Sequence, residues 1–272
     1  MSALAAYRGR WALVTGGADG IGRALCAALA ARGVNVTLVD IRSDPAQETA
    51  AALQSTGAAV VPETADVSDR DAMIALAARV RDRGHAPALL WINAGVAAGV
   101  GLCEARQRAV EWVFGVNVLG AIWTAQAFAQ DLRDGRGARH IGVTCSTASL
   151  TEPEGPLTLY QTSKIAAAGV ADALRAEFAP YGVGVTSFCP GLLNTMIWDA
   201  ARARPECFGG PRHQAHETGV RWRAAESPDA AVAVALAAVE RGGGYAVAPT
   251  AADTLQRFDA RVAAQRAGFP EA

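Results

Sequence analysis

Apolar residues fall along most of this chain in two alternating patterns. Short, nearly continuous apolar runs occupy residues 11–14, 34–39, 58–61, 88–92, 139–145 and 183–189, and each is bounded by glycine, proline or polar residues. Runs of that length and composition predict strands buried on both faces. Between them the apolar positions recur every three or four residues, as Ile21, Leu25 and Leu29 do before Gly33. That spacing predicts amphipathic helices over 43–57, with Ser43 as cap, and over 69–83, stopped by Gly84. Longer helical patterns cover 104–133 and 156–181. Strands alternating with helices imply a parallel sheet of about seven strands, doubly wound, with helices on both faces. The rhythm fails over 196–225, which is rich in Arg, Gly and Pro; a helix over 228–241, a strand over 245–248 and a helix over 251–267 close the chain. No change of composition marks a linker, so residues 1–272 are expected to form a single domain, with 196–225 as a lid or binding loop.

In such sheets ligands sit outside the carboxyl ends of the strands, and polar residues collect there in this chain. The first strand runs into Thr15-Gly16-Gly17-Ala18-Asp19-Gly20-Ile21-Gly22, directly before a helix. Glycines let the backbone approach a pyrophosphate, and free N–H groups at a helix start hold the anion. This is the Rossmann-type context of a dinucleotide site. The second strand ends in Asp40, an acid suited to the ribose hydroxyls of NAD and repellent to the extra phosphate of NADP. Arg42 lies close enough to meet that phosphate, yet no basic residue interrupts the glycine turn, which favours NAD. Asp66-Val67 follows the third strand, Asn93-Ala94-Gly95 the fourth, Ser146-Thr147-Ala148-Ser149 the fifth and Pro190-Gly191 the sixth.

Composition narrows the picture in one respect above all. Lys164 is the only lysine; every other basic side chain is arginine. Lysine is a compact ammonium whose pKa moves readily, unlike a guanidinium. Tyr160 precedes it by one helical turn, so phenol and ammonium share a face. A cation there is expected to lower the tyrosine pKa toward neutrality and fit it for acid–base work. Asn117 stands amid apolar neighbours and needs partners if buried.

The formal net charge of -1 gives no electrostatic case for nucleic acid or an anionic membrane as partner. Five scattered cysteines form no C-x-x-C pair, which suits a reduced, cytoplasmic setting. Residues 1–11 lack the apolar core of a signal peptide, and no uninterrupted apolar run is long enough to cross a bilayer. His213 and His216 are spaced like a metal pair but lack a cluster of further ligands, so no metal is expected.

From about Arg10 to the terminal helix the chain resembles the short-chain dehydrogenase/reductase family, in its single-domain branch. Thr15-Gly16-x-x-x-Gly20-x-Gly22 matches the family's cofactor turn, Asp66 its adenine-site acid, Asn93-Ala94-Gly95 its fourth-strand turn, and Pro190-Gly191 with Thr195 its nicotinamide-side motif. The resemblance implies Asn117, Ser146, Tyr160 and Lys164 as the active-site group. It implies that Lys164 holds the nicotinamide ribose and that Asn117 anchors a water linking Lys164 to solvent. Asp19 and Ile21 complete the implied cofactor contacts. Three positions depart from the pattern. Ile92 replaces an asparagine, Ser149 stands where glycine is frequent, and Ser146 lies one residue further from Tyr160 than is commonest. Thr147 is the alternative to Ser146.

The expected reaction is interconversion of a secondary alcohol and a ketone with NAD, Tyr160 exchanging the hydroxyl proton and Ser146 orienting the reacting oxygen. The last third, through 203–206 and 245–249, is more weakly similar to dehydrogenases of bulky aromatic alcohols, including the lignin-type Cα-dehydrogenases. Leu192, Met196 and Trp198, with Phe208 and Trp222, are therefore expected around an apolar substrate. An NADP-dependent carbonyl reductase of the same family is the nearer alternative, and a non-catalytic NAD-binding regulator the remote one. Family members commonly assemble as dimers or tetramers through the helix bearing Lys164, where Ile165-Ala166-Ala167-Ala168-Gly169 permits close approach, and the 104–133 helix. A homodimer or homotetramer is the expectation.

Overall fold

The computed structural model describes residues 3–248 and 251–269, so Pro249 lies outside the described residues. Seven strands form one parallel sheet: β1 (Trp11–Thr15), β2 (Asn35–Asp40), β3 (Val60–Thr64), β4 (Leu89–Ile92), β5 (His140–Thr144), β6 (Gly184–Cys189) and β7 (Gly243–Val247). Their order is β3-β2-β1-β4-β5-β6-β7. The chain builds outward from β1 to β3, then returns to lay β4 on the other side of β1. The crevice at that reversal, above the ends of β1 and β4, is where a ligand fits.

One face of the sheet is covered by α1 (Gly20–Ala30), α2 (Ser43–Leu53) and α8 (Pro228–Glu240), whose Leu25, Leu29, Ala46, Ala50, Val232 and Leu236 are buried against Val14, Val36 and Leu38. The other face carries α3 (Arg70–Asp82), α4 (Gln107–Phe114), α5 (Gly120–Asp134) and α6 (Thr158–Phe178), packed through Met73, Leu76, Phe128, Leu132 and Phe178. Trp91 locks β4 to β5. Its indole lies where a Cβ on Gly142 would stand, and its Nε1 donates to Thr144 Oγ1 at 3.1 Å. A short α7 (Val220–Arg223) and the terminal α9 (Thr254–Arg266) complete the chain.

Several boundaries differ from the expectation, each for a local reason. Ser43 is the first residue of α2 and Arg42 occupies the cap position without a side-chain bond; Asp69, by contrast, caps α3 by accepting from the N–H groups of Asp71 and Ala72. The helix expected over 156–181 begins at Thr158 and tightens into a 3₁₀ turn at Ala179–Tyr181. The last strand lies at Gly243–Val247, its opening glycines having positive φ. The helix expected over 104–133 begins at Gln107, and a π turn over Gly115–Leu119 separates α4 from α5. The continuous run Gln107–Asp134 is long and apolar enough to cross a membrane by length and composition, although Glu111, Asn117, Thr124 and Gln126 interrupt its apolar residues. Its apolarity serves the sheet: Trp112, Val113, Phe128 and Leu132 are all in the core.

His140 gives the core a pH dependence. It is 1% exposed on β5, with Nε2 at 2.8 Å from Thr186 Oγ1, and burial lowers its pKa to about 4. In the unfolded chain the imidazole titrates near 6.5. The neutral ring therefore contributes stability that is complete above that value and is lost as the pH falls toward 4. Between about pH 7 and pH 5 we expect a loss of about 2 kcal/mol, read from urea denaturation. The loss should shrink in His140→Gln.

Candidate active site

The glycine turn between β1 and α1 is shaped by contacts that leave no room for side chains. A Cβ on Gly22 would lie 1.9 Å from the Gly16 carbonyl oxygen, and one on Gly20 would lie 2.9 Å from Thr195 Cγ2. Gly16, with φ of 64°, packs against the backbone of Ala94. The turn is tied to its surroundings by two side chains. Thr15 Oγ1 accepts from the N–H groups of Asn93 (3.0 Å) and Ala94 (3.2 Å). Asn93 Nδ2 donates to the carbonyls of Thr15 and Gly16, while Thr144 donates to Asn93 Oδ1. The ends of β1, β4 and β5 are thereby one hydrogen-bonded unit. Ile92, in place of the usual asparagine, is simply buried in the core.

Asp40, 6% exposed at the end of β2, accepts from Ala18 N–H (3.2 Å) through Oδ2 and from Arg42 N–H and Nε through Oδ1. Asp66 accepts from Ser68 N–H and hydroxyl. Asp19 caps α1, its Oδ1 taking the Gly20 N–H at 2.7 Å. A cleft of about 410 Å³ runs along these strand ends. It is lined by Gly16, Asp19, Gly20, Ile21, Asp40, Asp66, Val67, Asn93, Ala94, Gly95, Pro190, Gly191 and Thr195. Among the cofactor positions expected from sequence, Gly22 does not line the cleft; it stands behind the turn as the close-packing glycine.

At the other end of the cleft Ser146, Tyr160 and Lys164 come together. Lys164 is 3% exposed, and its Nζ donates to the Thr144 carbonyl at 3.0 Å. Gly95 makes room for it: a Cβ there would sit 3.1 Å from Nζ. Asn117 is outside the cleft. Its Oδ1 accepts from Val96 N–H (2.8 Å), and its Nδ2 donates to the Val96 carbonyl and to Ser163 Oγ, both at 2.9 Å. It therefore ties the π turn to the strand-β4 loop and to α6, immediately behind Lys164. Ser149, where a glycine is frequent, donates to the Ser146 carbonyl at 2.6 Å and braces the turn that carries Ser146. Thr147 also borders the cleft, but the hydroxyl that draws the Tyr160 pKa down is that of Ser146.

The expected depression of the Tyr160 pKa is not what the protein alone produces. Tyr160 is half-buried at the cleft. That burial pushes the phenol up to about 12, against the pull of the Ser146 hydroxyl. The Lys164 Nζ stands 6.0 Å from the ring centroid, and its own pKa is lowered by burial. Desolvation outweighs the cation at this distance. The resting tyrosine is an acid.

On the substrate side, Leu192 and Met196 line the cleft as expected, and so does Trp222. Trp198 does not. It packs against Gly219 with the Arg223 guanidinium 5.2 Å from its ring, and Phe208 packs beside Gly115 in the core. Trp112, Leu157, Ile197 and Arg202 border the cleft and were missed by sequence reasoning. Trp112 alone had a signal, as an apolar position on the inner face of α4. The 196–225 segment that supplies several of these groups is a series of short turns joined at its neck, where Asn194 N–H donates to the Glu226 carbonyl. Within it His213 Nδ1 lies 3.3 Å from Asp199 Oδ2, and the side chain of His216 lies outside the described residues.

The family model for short chain dehydrogenases matches residues 10–206. The chain belongs to the short-chain dehydrogenase/reductase family. Similar chains include dehydrogenases named for hydroxy compounds, one of them a galactitol 2-dehydrogenase from Cereibacter sphaeroides, 37% identical over 74% of this chain and 78% of its own. The 1-deoxy-11-beta-hydroxypentalenate dehydrogenase of Streptomyces exfoliatus is 34% identical over 79% of each chain. The probable oxidoreductase EphD of Mycobacterium tuberculosis is 34% identical over 68% of this chain but 31% of its own length, so this chain spans about a third of that relative. Among solved structures, a short-chain dehydrogenase/reductase from Burkholderia phymatum, in complex with NAD, superimposes with a TM-score of 0.88 at 27% identity, covering 98% of this chain and 99% of that one.

Proposed function

We propose that this short-chain dehydrogenase/reductase interconverts a secondary alcohol and a ketone with NAD. The observation that carries the reading is the placement of Tyr160, with Ser146 beside it and the Lys164 ammonium 6.0 Å from its ring, in the same cleft as the glycine cradle. A nicotinamide dinucleotide, when bound, supplies the hydride donor or acceptor. Tyr160 donates its phenolic proton to the nascent alkoxide in reduction and removes the hydroxyl proton in oxidation. Ser146 holds the reacting oxygen at the end of β5. Lys164 spends one donor on Thr144 and keeps two for the phenol and a ribose hydroxyl. Asn117 fixes the backbone against which Lys164 rests.

NAD is favoured over NADP by the end of β2. Asp40 presents a buried carboxylate where a ribose phosphate would lie. Arg42, the residue suited to that phosphate, is engaged with Asp40 at 3.2 Å and lies 3.9 Å from Asp19. The Burkholderia relative's complex with NAD agrees. The rival, an NADP-dependent carbonyl reductase, requires Arg42 to leave those acids. Comparing Michaelis constants for the two dinucleotides decides between them, a lower value for NADP contradicting our reading.

For the substrate we propose a bulky, apolar or aromatic alcohol, held by Leu192, Met196, Trp112 and Trp222 beneath residues 196–225 as a lid. A panel of aliphatic, terpenoid, steroid and aryl secondary alcohols tests this; preference for short linear alcohols rejects it. We also propose self-association through α6, whose Gly169 faces open space, and the continuous helical run 107–134, where Leu119 of the π turn is 43% exposed. Light scattering that gives a monomer at micromolar concentration contradicts it.

A further inference from the structure

Arg202 belongs to the 196–225 segment but reaches across the cleft to the glycine turn. Its Nη2 donates to Asp19 Oδ2 at 2.5 Å, while Nη1 donates to the carbonyls of Met196 (2.9 Å) and Asp199 (3.0 Å). One guanidinium thus holds its own short helix together and bridges to a residue 183 positions away. The other Asp19 oxygen takes the first N–H of α1. A carboxylate therefore occupies the helix start, the position that suits a bound anion. An arginine is already in place upon it. Nearby, a Cβ on Gly20 would strike Thr195, so residues 195–202 lie directly over the cradle.

We propose that Arg202 is a diphosphate-binding residue supplied by the lid. The Asp19 carboxylate stands in for the anion in the free chain, and Arg202 passes from it to the dinucleotide diphosphate when the cofactor is seated. The fork geometry of a guanidinium matches both acceptors. Its bonds to Met196 and Asp199 carry the engagement into the segment that closes over the substrate, so cofactor binding and lid closure are one event. The inference rests on the dinucleotide reading above and adds a contact to it.

The test is ligand binding without turnover. NADH and ADP-ribose are titrated by fluorescence or calorimetry against the unmodified chain, R202Q and D19N/R202Q, with adenosine as the phosphate-free control. R202Q should weaken ADP-ribose about tenfold or more, as expected for lost charge-assisted bonds, and leave adenosine unchanged. The double variant should remain weak. Restoration of affinity by D19N would mean that Arg202 only masks Asp19, which overturns the proposal, as would unchanged ADP-ribose binding in R202Q. Chymotryptic cleavage within 196–225 should be slowed by ADP-ribose in the unmodified chain and not in R202Q; equal protection in both overturns the link to the lid. If the unmodified chain binds neither NADH nor ADP-ribose, the dinucleotide reading itself fails, a result distinct from the others.

Discussion

Tyr160→Phe should cut turnover by at least about 10²–10⁴-fold while leaving NADH binding intact, because it removes only the acid–base proton. The ring stays in its pocket, and Ser146 and Lys164 keep their backbone supports in the Ser149 and Thr144 contacts. The pH profile should separate the two directions. Burial holds the phenol up to about 12 in the protein alone, so ketone reduction should proceed with a protonated Tyr160 across the neutral range. Alcohol oxidation needs the phenolate, which is favoured only when the positive charge of the oxidised nicotinamide is added beside Lys164. Oxidation should therefore rise with pH while reduction does not. Near-normal turnover in Tyr160→Phe, measured at saturating cofactor, would remove Tyr160 from the reaction.

Gly22→Ala should all but abolish dinucleotide binding. The added Cβ would sit 1.9 Å from the Gly16 carbonyl oxygen and 2.7 Å from Asn93 Nδ2. Neither neighbour can yield cheaply. The carbonyl is main chain, and the Asn93 amide holds the carbonyls of Thr15 and Gly16. Relief must move the start of α1 away from β1, and the N–H groups there lose their aim at the diphosphate. We expect affinity for NADH to fall more than about hundredfold and stability to fall by about 1–3 kcal/mol, as for other overpacked sites. Fluorescence titration and denaturant unfolding read the two effects. Wild-type affinity in this variant would mean that the turn is not the phosphate cradle.

The parts of this protein legible in its sequence are those set by local pattern. Buried strands advertise themselves as apolar runs, and their polar ends (Gly16, Asp40, Asp66, Asn93, Ser146) are next to them in sequence and in space. The Tyr160–Lys164 pairing needs one turn of helix and nothing else. The π turn at Gly115–Leu119 was invisible because it shifts the helix by one residue without interrupting its apolar face. Side-chain direction was lost in 196–225, where turns too short for a periodicity send Trp222 to the cleft and Trp198 away from it. The contact between Arg202 and Asp19 joins residues 183 positions apart, and no spacing encodes it. Likewise the sequence placed a cation near Tyr160 but could not weigh it against the burial of the hydroxyl, which wins.

The central claim is that Tyr160, Ser146 and Lys164 serve a direct hydride transfer between a carbinol carbon and a nicotinamide. A secondary alcohol accepted by the chain, deuterated at that carbon, should be incubated with NAD and the reduced cofactor examined by mass spectrometry. One deuterium should appear on the reduced nicotinamide, and none should enter from deuterated solvent. Loss of the label to water, or no reduction of NAD by any alcohol of the panel, would contradict the claim.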